Sequence, residues 1–285
     1  MRPAVALLLF AAAASGQAVP LKPRTAPDAG KSVLVRQESR QEVDTRVRDA
    51  AGKELRRRLV STSEVAEYTL AVQEARGGVP VKFSHAYTRA DETRDGRRAP
   101  LPWQGRKILF ALAAGKLKAE AADGKAFPPV EASAVEKAAS SRFLDTLLPL
   151  LPGKDVSAGD EWEIAPSKAA IGLTLPLDEK ASKASGKLLK VYDKEGVRFA
   201  IAEVQASLAV EGGKVEYKAR IDAAVDGKST RGSYRLDLTL TGTREADEKG
   251  RKLTVGGTTR RTVTLDVGEQ AGKWKKPRIY TDRHG

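Results

Sequence analysis

Cysteine is absent from all 285 residues. The chain therefore has no disulfide, no thiol nucleophile, no thiolate metal ligand and no cysteine to carry an N-terminal lipid. Histidine is almost absent: His85 lies in the body of the sequence and His284 is the penultimate residue. A serine–histidine–acid arrangement would have to use His85, and no G-x-S-x-G segment accompanies it. A zinc site would need mostly carboxylates, which is not the usual ligand set. Phosphate-binding glycine loops, dinucleotide fingerprints and calcium loops are missing too, so no cofactor is expected. Aromatic residues make up only 5% of the chain and methionine occurs once. Long apolar runs are lacking. The longest, Ala4 to Ala14, falls well short of the roughly 20 residues a membrane-spanning helix needs.

The flanks of that run give it another meaning. Met1 and Arg2 supply positive charge before it, and the small residues Gly16 and Ala18 follow it. Charged start, apolar middle and small-residue exit are the order of a secretory signal peptide, with cleavage expected after Ala18. The protein is thus expected to be periplasmic or secreted, unanchored and without a transmembrane segment once cut. Val19 to Gly30 carries Pro20, Pro23 and Pro27 and reads as an extended linker, with order beginning near Ser32. The formal net charge is +13, one unit less once Arg2 is removed with the leader. For an exported basic protein the natural partners are anionic lipid headgroups, lipopolysaccharide or acidic polymers, and nucleic acid is not expected.

From Val33 onward the dominant signal is alternation with period two. Val33, Val35, Gln37, Ser39, Gln41, Val43, Thr45 and Val47 share one parity. The other parity holds Arg36, Glu38, Arg40, Glu42, Asp44, Arg46 and Arg48, all charged. Alternate residues of a strand face opposite sides, so this is a long strand with one wet face, either bent or broken by a bulge. Weaker alternation marks a strand at Leu55–Leu59. Further strands follow at Tyr68–Val72, Val81–Tyr87 and Ile108–Ala114, with a polar loop over Asp91–Pro102. Beyond residue 160, strands are expected at Trp162–Ile164, Leu189–Val191, Val197–Ile201, Val204–Val210, Val215–Val225, Tyr234–Leu240 and Val263–Val267. Ser167 to Gly186 reads as irregular and Glu245 to Gly250 as a loop. Val197, Phe199 and Ile201 have the opposite parity to Val204, Leu208 and Val210, which predicts a bulge or bend between them. Short turns such as Gly212-Gly213 and Asp226-Gly227 imply antiparallel neighbours.

One segment reads as a helix, about Ser133 to Leu148. Ser133 and Glu136 have capping-box spacing, and Val135, Ala139, Phe143 and Leu147 recur every four residues. Pro149 and Pro152-Gly153 stop it. The expectation is a mainly β fold, one domain over 31–271, in which a large antiparallel sheet packs this helix on its apolar face. A basic tail, 272–285, follows.

Candidate functional residues are few. Asp160, Glu161 and Glu163 cluster, but a turn followed by a solvated strand face accounts for them. Phe83, His85 and Tyr87 share a strand face and, with Phe143 and Leu147 of the helix, form a candidate apolar lining. In the tail, Lys273, Lys275, Lys276 and Arg278 surround Trp274, a pattern suited to anionic surfaces.

The segment Leu151-Pro152-Gly153-Lys154-Asp155-Val156-Ser157-Ala158-Gly159-Asp160-Glu161-Trp162 resembles a signature of uncharacterised exported bacterial families. In them a Leu-Pro precedes a Val, and Gly-Asp and Trp follow. Those families are similar to the LolA/LppX-like superfamily of lipoprotein and lipid carriers. The resemblance implies a curved antiparallel sheet, an open half-barrel, with helices against its concave side. LolA-like proteins carry several helices, whereas one is legible here. The local chemistry of the signature reads as structural: Pro152-Gly153 ends the helix and Trp162 buries a large ring where helix meets sheet.

Together these readings point to a non-enzymatic exported protein that binds a hydrophobic or amphiphilic envelope component, such as lipid or lipoprotein, on an apolar sheet face. The alternative is an envelope structural protein that contacts anionic surfaces or a protein partner. A carboxylate-dependent hydrolase using Asp160 or Glu163 is the third reading. Expression in an exporting bacterial host should yield a mature protein beginning at Val19. Intact mass and N-terminal sequencing check this, and a retained leader would contradict the signal-peptide reading.

Overall fold

The computed structural model describes residues 18–268, apart from 77–78, 114–115, 126, 141–142, 171–175 and 249–250. The expected signal peptide, except Ala18, and the basic tail lie outside the described residues. Strands dominate: β1 (Val19–Pro20), β2 (Ser32–Asp49), β3 (Glu54–Arg76), β4 (Val79–Arg94), β5 (Arg97–Pro100), β6 (Lys107–Ala113) and β7 (Lys116–Ala121). Helices α1 (Pro129–Ser140) and α2 (Phe143–Leu147) and a 3-10 turn (Leu148–Leu150) come next. The chain continues with β8 (Asp155–Val156), β9 (Glu161–Glu163), α3 (Pro166–Ala169), β10 (Leu177–Lys194), β11 (Val197–Val210), β12 (Gly213–Ala224), β13 (Gly232–Glu248) and β14 (Arg251–Gly268).

Twelve strands form one antiparallel sheet in the order β7-β6-β4-β3-β2-β14-β13-β12-β11-β10-β9, with β5 paired to β4. Both ends of this order are free, so the sheet is open and not a closed barrel. The twist of L-amino-acid strands curls a sheet of this width. β1 and β8 form a separate two-stranded clasp. The two halves of the chain meet where β2 pairs with β14, from Leu34–Gly268 to Asp49–Leu253.

Strands run longer than alternation alone suggests. The expected strands at Leu55–Leu59 and Tyr68–Val72 are one strand, β3, of 23 residues. Its middle pairs with β2 without a break, although Thr62 and Glu64 interrupt the apolar stripe there. The expected polar loop Asp91–Pro102 is mostly a hairpin: β4 runs to Arg94, and Asp95 and Gly96 turn it at φ 48° and 82° into β5. The expected loop at Glu245–Gly250 is also mostly strand, since β13 extends to Glu248. The stretch expected to be irregular, 167–186, holds part of α3 and the start of β10.

The predicted bulge within β11 is not there. β11 pairs with β12 in unbroken register, and the register shifts lie in β10, between Asp178 and Lys183 and between Leu188 and Lys190. Phe199 therefore sits on the opposite face from Leu208, stacked on Tyr192 with ring centroids 5.4 Å apart. Arg231 lies over the same ring.

The inner face carries the core in two clusters. The first gathers Val33, Val35, Leu188, Val204, Leu208, Tyr234 and Leu265 with Leu147 and Leu150. The second gathers Val72, Phe83, Tyr87, Trp103, Ile108 and Phe110 with Val135. The expected helix Ser133–Leu148 arrives in two pieces and starts earlier, at Pro129, where a proline's fixed φ suits the first turn. Glu136 does not complete a capping box with Ser133 in the first turn. Its carboxylate accepts the Ala119 N–H of β7 at 3.2 Å.

The Pro-rich stretch after Ala18 is not a free linker, and order begins well before Ser32. Val19 and Leu21 are 3% and 4% exposed, and Val19 pairs with Val156. The Leu-Pro…Trp segment is structural throughout. Gly159 N–H donates to Leu188 O at 2.7 Å, and Leu188 N–H donates to Asp160 O at 2.9 Å. The Trp162 indole N–H donates to Leu150 O at 2.9 Å.

The outer face is a network of ion pairs. Asp44 holds Arg46 at 2.8 Å and Arg57 at 3.0 Å. Glu67 lies 3.4 Å from Arg36, and Asp91 binds Arg89 at 2.6 Å. Hydrogen bonds from Arg57 and Arg46 hold the Asp44 carboxyl down at about 2, and Arg24 and Lys31 do the same for Asp28. These carboxylates stay ionised in the folded state where an unfolded chain, with its value near 3.8, takes up protons. Their stabilisation is present above about pH 4 and fades as pH falls toward 2.

Two outcomes follow for stability. Asp44→Asn should lower the urea midpoint at pH 7 and flatten its decline between pH 4 and 2, and an unchanged acid limb would contradict the ion-pair account. A Cβ at Gly186 would lie 2.2 Å from the Trp162 ring. Gly186→Ala should therefore cost about 1–3 kcal/mol by overpacking. That cost should largely vanish in a Trp162→Ala background, which itself loses about 3–5 kcal/mol.

Candidate functional site

Residues paired across strands share a face, so register arranges the inner side of the central strands into rows. One row reads Leu238, Arg261, Gln41, Thr62 and Arg94. The next reads Leu208, Val215, Leu240, Thr259, Val43 and Val60. A third holds Gly213, Gly242, Gly257, Thr45 and Arg58, and a fourth Arg244, Val255, Val47 and Arg56.

Cover is uneven along these rows. Helix α1 packs against β7, and α3 against β10 and β11, so the helices lie over the two flanks. Leu208 and Val215 are fully buried beneath the first flank. In the same row Leu240, Val43 and Val60 are only half-buried, as are Leu236 and Leu238 beside them. The result is a partly open apolar band over β13, β14, β2 and β3, between two closed clusters. Its third row is poor in side chains because Gly242 and Gly257 stand there. This band is the candidate binding surface.

The sequence-predicted lining residues divide among several places. Phe83, His85 and Tyr87 come together, but inside the second core cluster, at 3%, 7% and 7% exposure. His85 stacks on Tyr68 with centroids 4.3 Å apart, and its Nδ1 lies 3.1 Å from the Tyr87 hydroxyl. Phe83 stacks on Phe110 at 5.0 Å. Burial pushes the Tyr68 and Tyr87 phenols above their usual range, so both stay neutral hydrogen-bonding groups. This packing gives His85 a satisfied structural setting. Leu147 belongs to the first cluster, not to the one around Phe83. Phe143 lies in α2, and its side chain is outside the described residues, as are Lys273, Trp274, Lys275, Lys276 and Arg278.

The carboxylate cluster at 160–163 is solvated. Asp160 accepts the Ser157 N–H at 2.8 Å and shapes the turn, and Glu161 pairs with Lys187 at 2.9 Å. Among the described residues, no group of three or more histidines and carboxylates is placed to hold a metal ion. No described helix is long and apolar enough to cross a membrane.

A concavity of about 1050 Å³ is bounded by two outer-face rows. One contains Ser185, Gln205, Lys218, Asp237 and Thr262, and the other Lys183, Ser207, Glu216, Thr239 and Arg260. Its charges are largely neutralised locally: Lys218 reaches Glu203 at 3.2 Å, Glu216 holds Lys214 at 2.6 Å, and Asp237 holds Arg235 at 2.7 Å.

The residues of the open band were visible in the sequence as strand stripes, Leu236–Leu238–Leu240 and Val43 among them. Their partial exposure was not, because it depends on which rows the helices cover.

No family model and no curated protein matches this sequence. Among solved structures, a lipovitellin structure described for its lipid–protein interactions is 8% identical, with a TM-score of 0.41, over 87% of this chain. The match spans only 26% of the lipovitellin chain. An outer-membrane channel from Pseudomonas putida F1 is 10% identical, with a TM-score of 0.21, over 87% of this chain and 100% of the channel. The P. putida toluene transporter TodX is 8% identical, with a TM-score of 0.18, over 87% of this chain and 92% of the transporter. Likeness at these scores amounts to shared richness in strands, and it assigns this chain to no family.

Proposed function

We propose that this chain is a non-enzymatic binding protein for a hydrophobic or amphiphilic molecule, which lies along the inner face of the central strands. The observation that carries this reading is the abrupt change of burial within one row. Leu208 and Val215 are 0% exposed, whereas Leu240, Val43 and Val60 continue the same apolar row half-open. Contiguous apolar surface of this kind, rimmed by polar groups, is a common mark of a ligand or partner site. In an exported protein, as the N-terminal segment suggests, the natural ligand is an acyl chain of an envelope lipid or lipoprotein. The contact with anionic surfaces through the outer face has less support, because most cations there already hold carboxylates.

Organic extraction of the purified full chain, followed by mass spectrometry, should recover amphiphiles in near-stoichiometric amount. A protein that is ligand-free, and that also fails to take up a fluorescent acyl probe, would overturn the proposal. Leu238→Asp with Leu240→Asp should weaken probe binding at least ten-fold. Leu59→Asp, on the exposed outer face of β3, should leave it unchanged.

A further inference from the structure

We infer that the bound amphiphile carries an anionic head group, a phosphate or carboxylate, which a set of inner-face arginines receives. The inference rests on the binding reading above and adds the chemistry of the ligand to it.

The warrant is a contrast between the two faces of the same strands. On the outer face, Arg36, Arg46, Arg57, Arg89, Arg235 and Arg260 each hold an aspartate or glutamate. On the inner face, Arg56, Arg58, Arg94, Arg244 and Arg261 are exposed, and among the described residues none has an ion-pair partner. Most outer-face arginines of these strands are spent on the sheet itself, Arg40 and Arg48 excepted, whereas these five inner ones are all left over.

Their placement is not scattered. Arg261 and Arg94 stand in the row beside the half-open Leu240–Val43–Val60 row, on one side of it. Arg58, then Arg244 and Arg56, stand in the two rows on the other side. Same-face neighbours along a strand are about 7 Å apart and strands about 4.8 Å apart. The arginines therefore bracket an apolar band about 20 Å long and about 14 Å wide. Glycines at 242 and 257 keep the floor low between them. Four inner-face carboxylates lie nearby, and one of them, Asp49 at the end of β2, accepts the Ala51 and Lys53 N–H groups of its own turn. Glu64 faces Glu92 across β3 and β4, one row further toward the flank, and Glu248 faces Arg251 at the far hairpin. None of these neutralises the five arginines.

A guanidinium binds phosphate or carboxylate with paired N–H donors. An anion brought against this band by an apolar chain meets several of them at once. An uncharged or zwitterionic head leaves them unused. The occupant that satisfies both the band and its rim is a single anionic amphiphile.

The test uses the full chain with two lysophospholipids of identical acyl chain, below their micelle concentrations. One has the anionic phosphatidylglycerol head, the other the zwitterionic phosphatidylcholine head. The anionic lipid should bind at least ten-fold more tightly, and added salt should erode that preference. Arg58→Gln with Arg261→Gln should abolish the preference while leaving the phosphatidylcholine affinity unchanged. Arg46→Gln with Arg260→Gln, on the outer face, should preserve the preference. Urea midpoints confirm that each variant is folded. Equal wild-type affinities for the two heads overturn the inference and leave the binding reading standing. Loss of preference in the outer-face variant overturns the assignment to the inner face. Tight binding of glycerol 3-phosphate alone overturns the amphiphile and marks a simple anion site. Failure of both lipids to bind removes the binding reading itself.

Discussion

The pairing of β2 with β14 is the constraint on which the rest of this structure depends. Each half of the chain is a run of antiparallel neighbours, most of them joined by short turns. The first half alone would be a sheet ending at β2, and the second a sheet ending at β14. Their junction unites strands from opposite ends of the described chain, from Leu34–Gly268 to Asp49–Leu253. Closing so long a loop costs entropy, though the cost grows only slowly with length. An extended backbone ladder, with Val35 opposite Val267 inside and Glu42 within 3.4 Å of Arg260 outside, offsets it.

That seam also decides where the molecule is open. The helical cover comes from the middle of the sequence, between β7 and β10, so it reaches the two flanks of the sheet. The centre, built from the far ends of the chain, has no described helix of its own. Mixed residues such as Gln41, Thr62 and Thr259 occur there, where a sealed core would hold leucine and isoleucine. A solvated seam tolerates them, and a sealed one would have to find each a hydrogen bond.

Much of the fold was legible in the sequence. The alternation over Val33–Val47 placed β2 and both of its faces, since a strand with one wet face puts an unbroken series of charges at a single parity and a helix would scatter them. The helix stripe and its proline stop located α1 and α2, because those signals are local. What stayed hidden was long-range. Leu55–Leu59 and Tyr68–Val72 looked separate because Thr62 and Glu64 occupy inner positions that only an open seam permits. Phe199 looked like core because its ring is apolar, but Tyr192 and Arg231 cover it on the wet face. Phe83, His85 and Tyr87 were rightly grouped, yet neighbours such as Phe110 and Trp103 fill the space a ligand would need. Whether an arginine is paired depends on cross-strand register, which no local pattern encodes.

The clasp of Val19 to Val156 has a consequence in time. Val19, near the start of the described residues, pairs with Val156, which is synthesised only after β2 to β7 and the helices α1 and α2. Until β8 exists, Val19 and Leu21 have only part of their burial available, and the whole first half must wait with that end uncovered. The clasp therefore works as a record of completion. A chain that has made this pair has already been synthesised through α1 and α2 to β8, and a prematurely ended one still displays two apolar residues near its front.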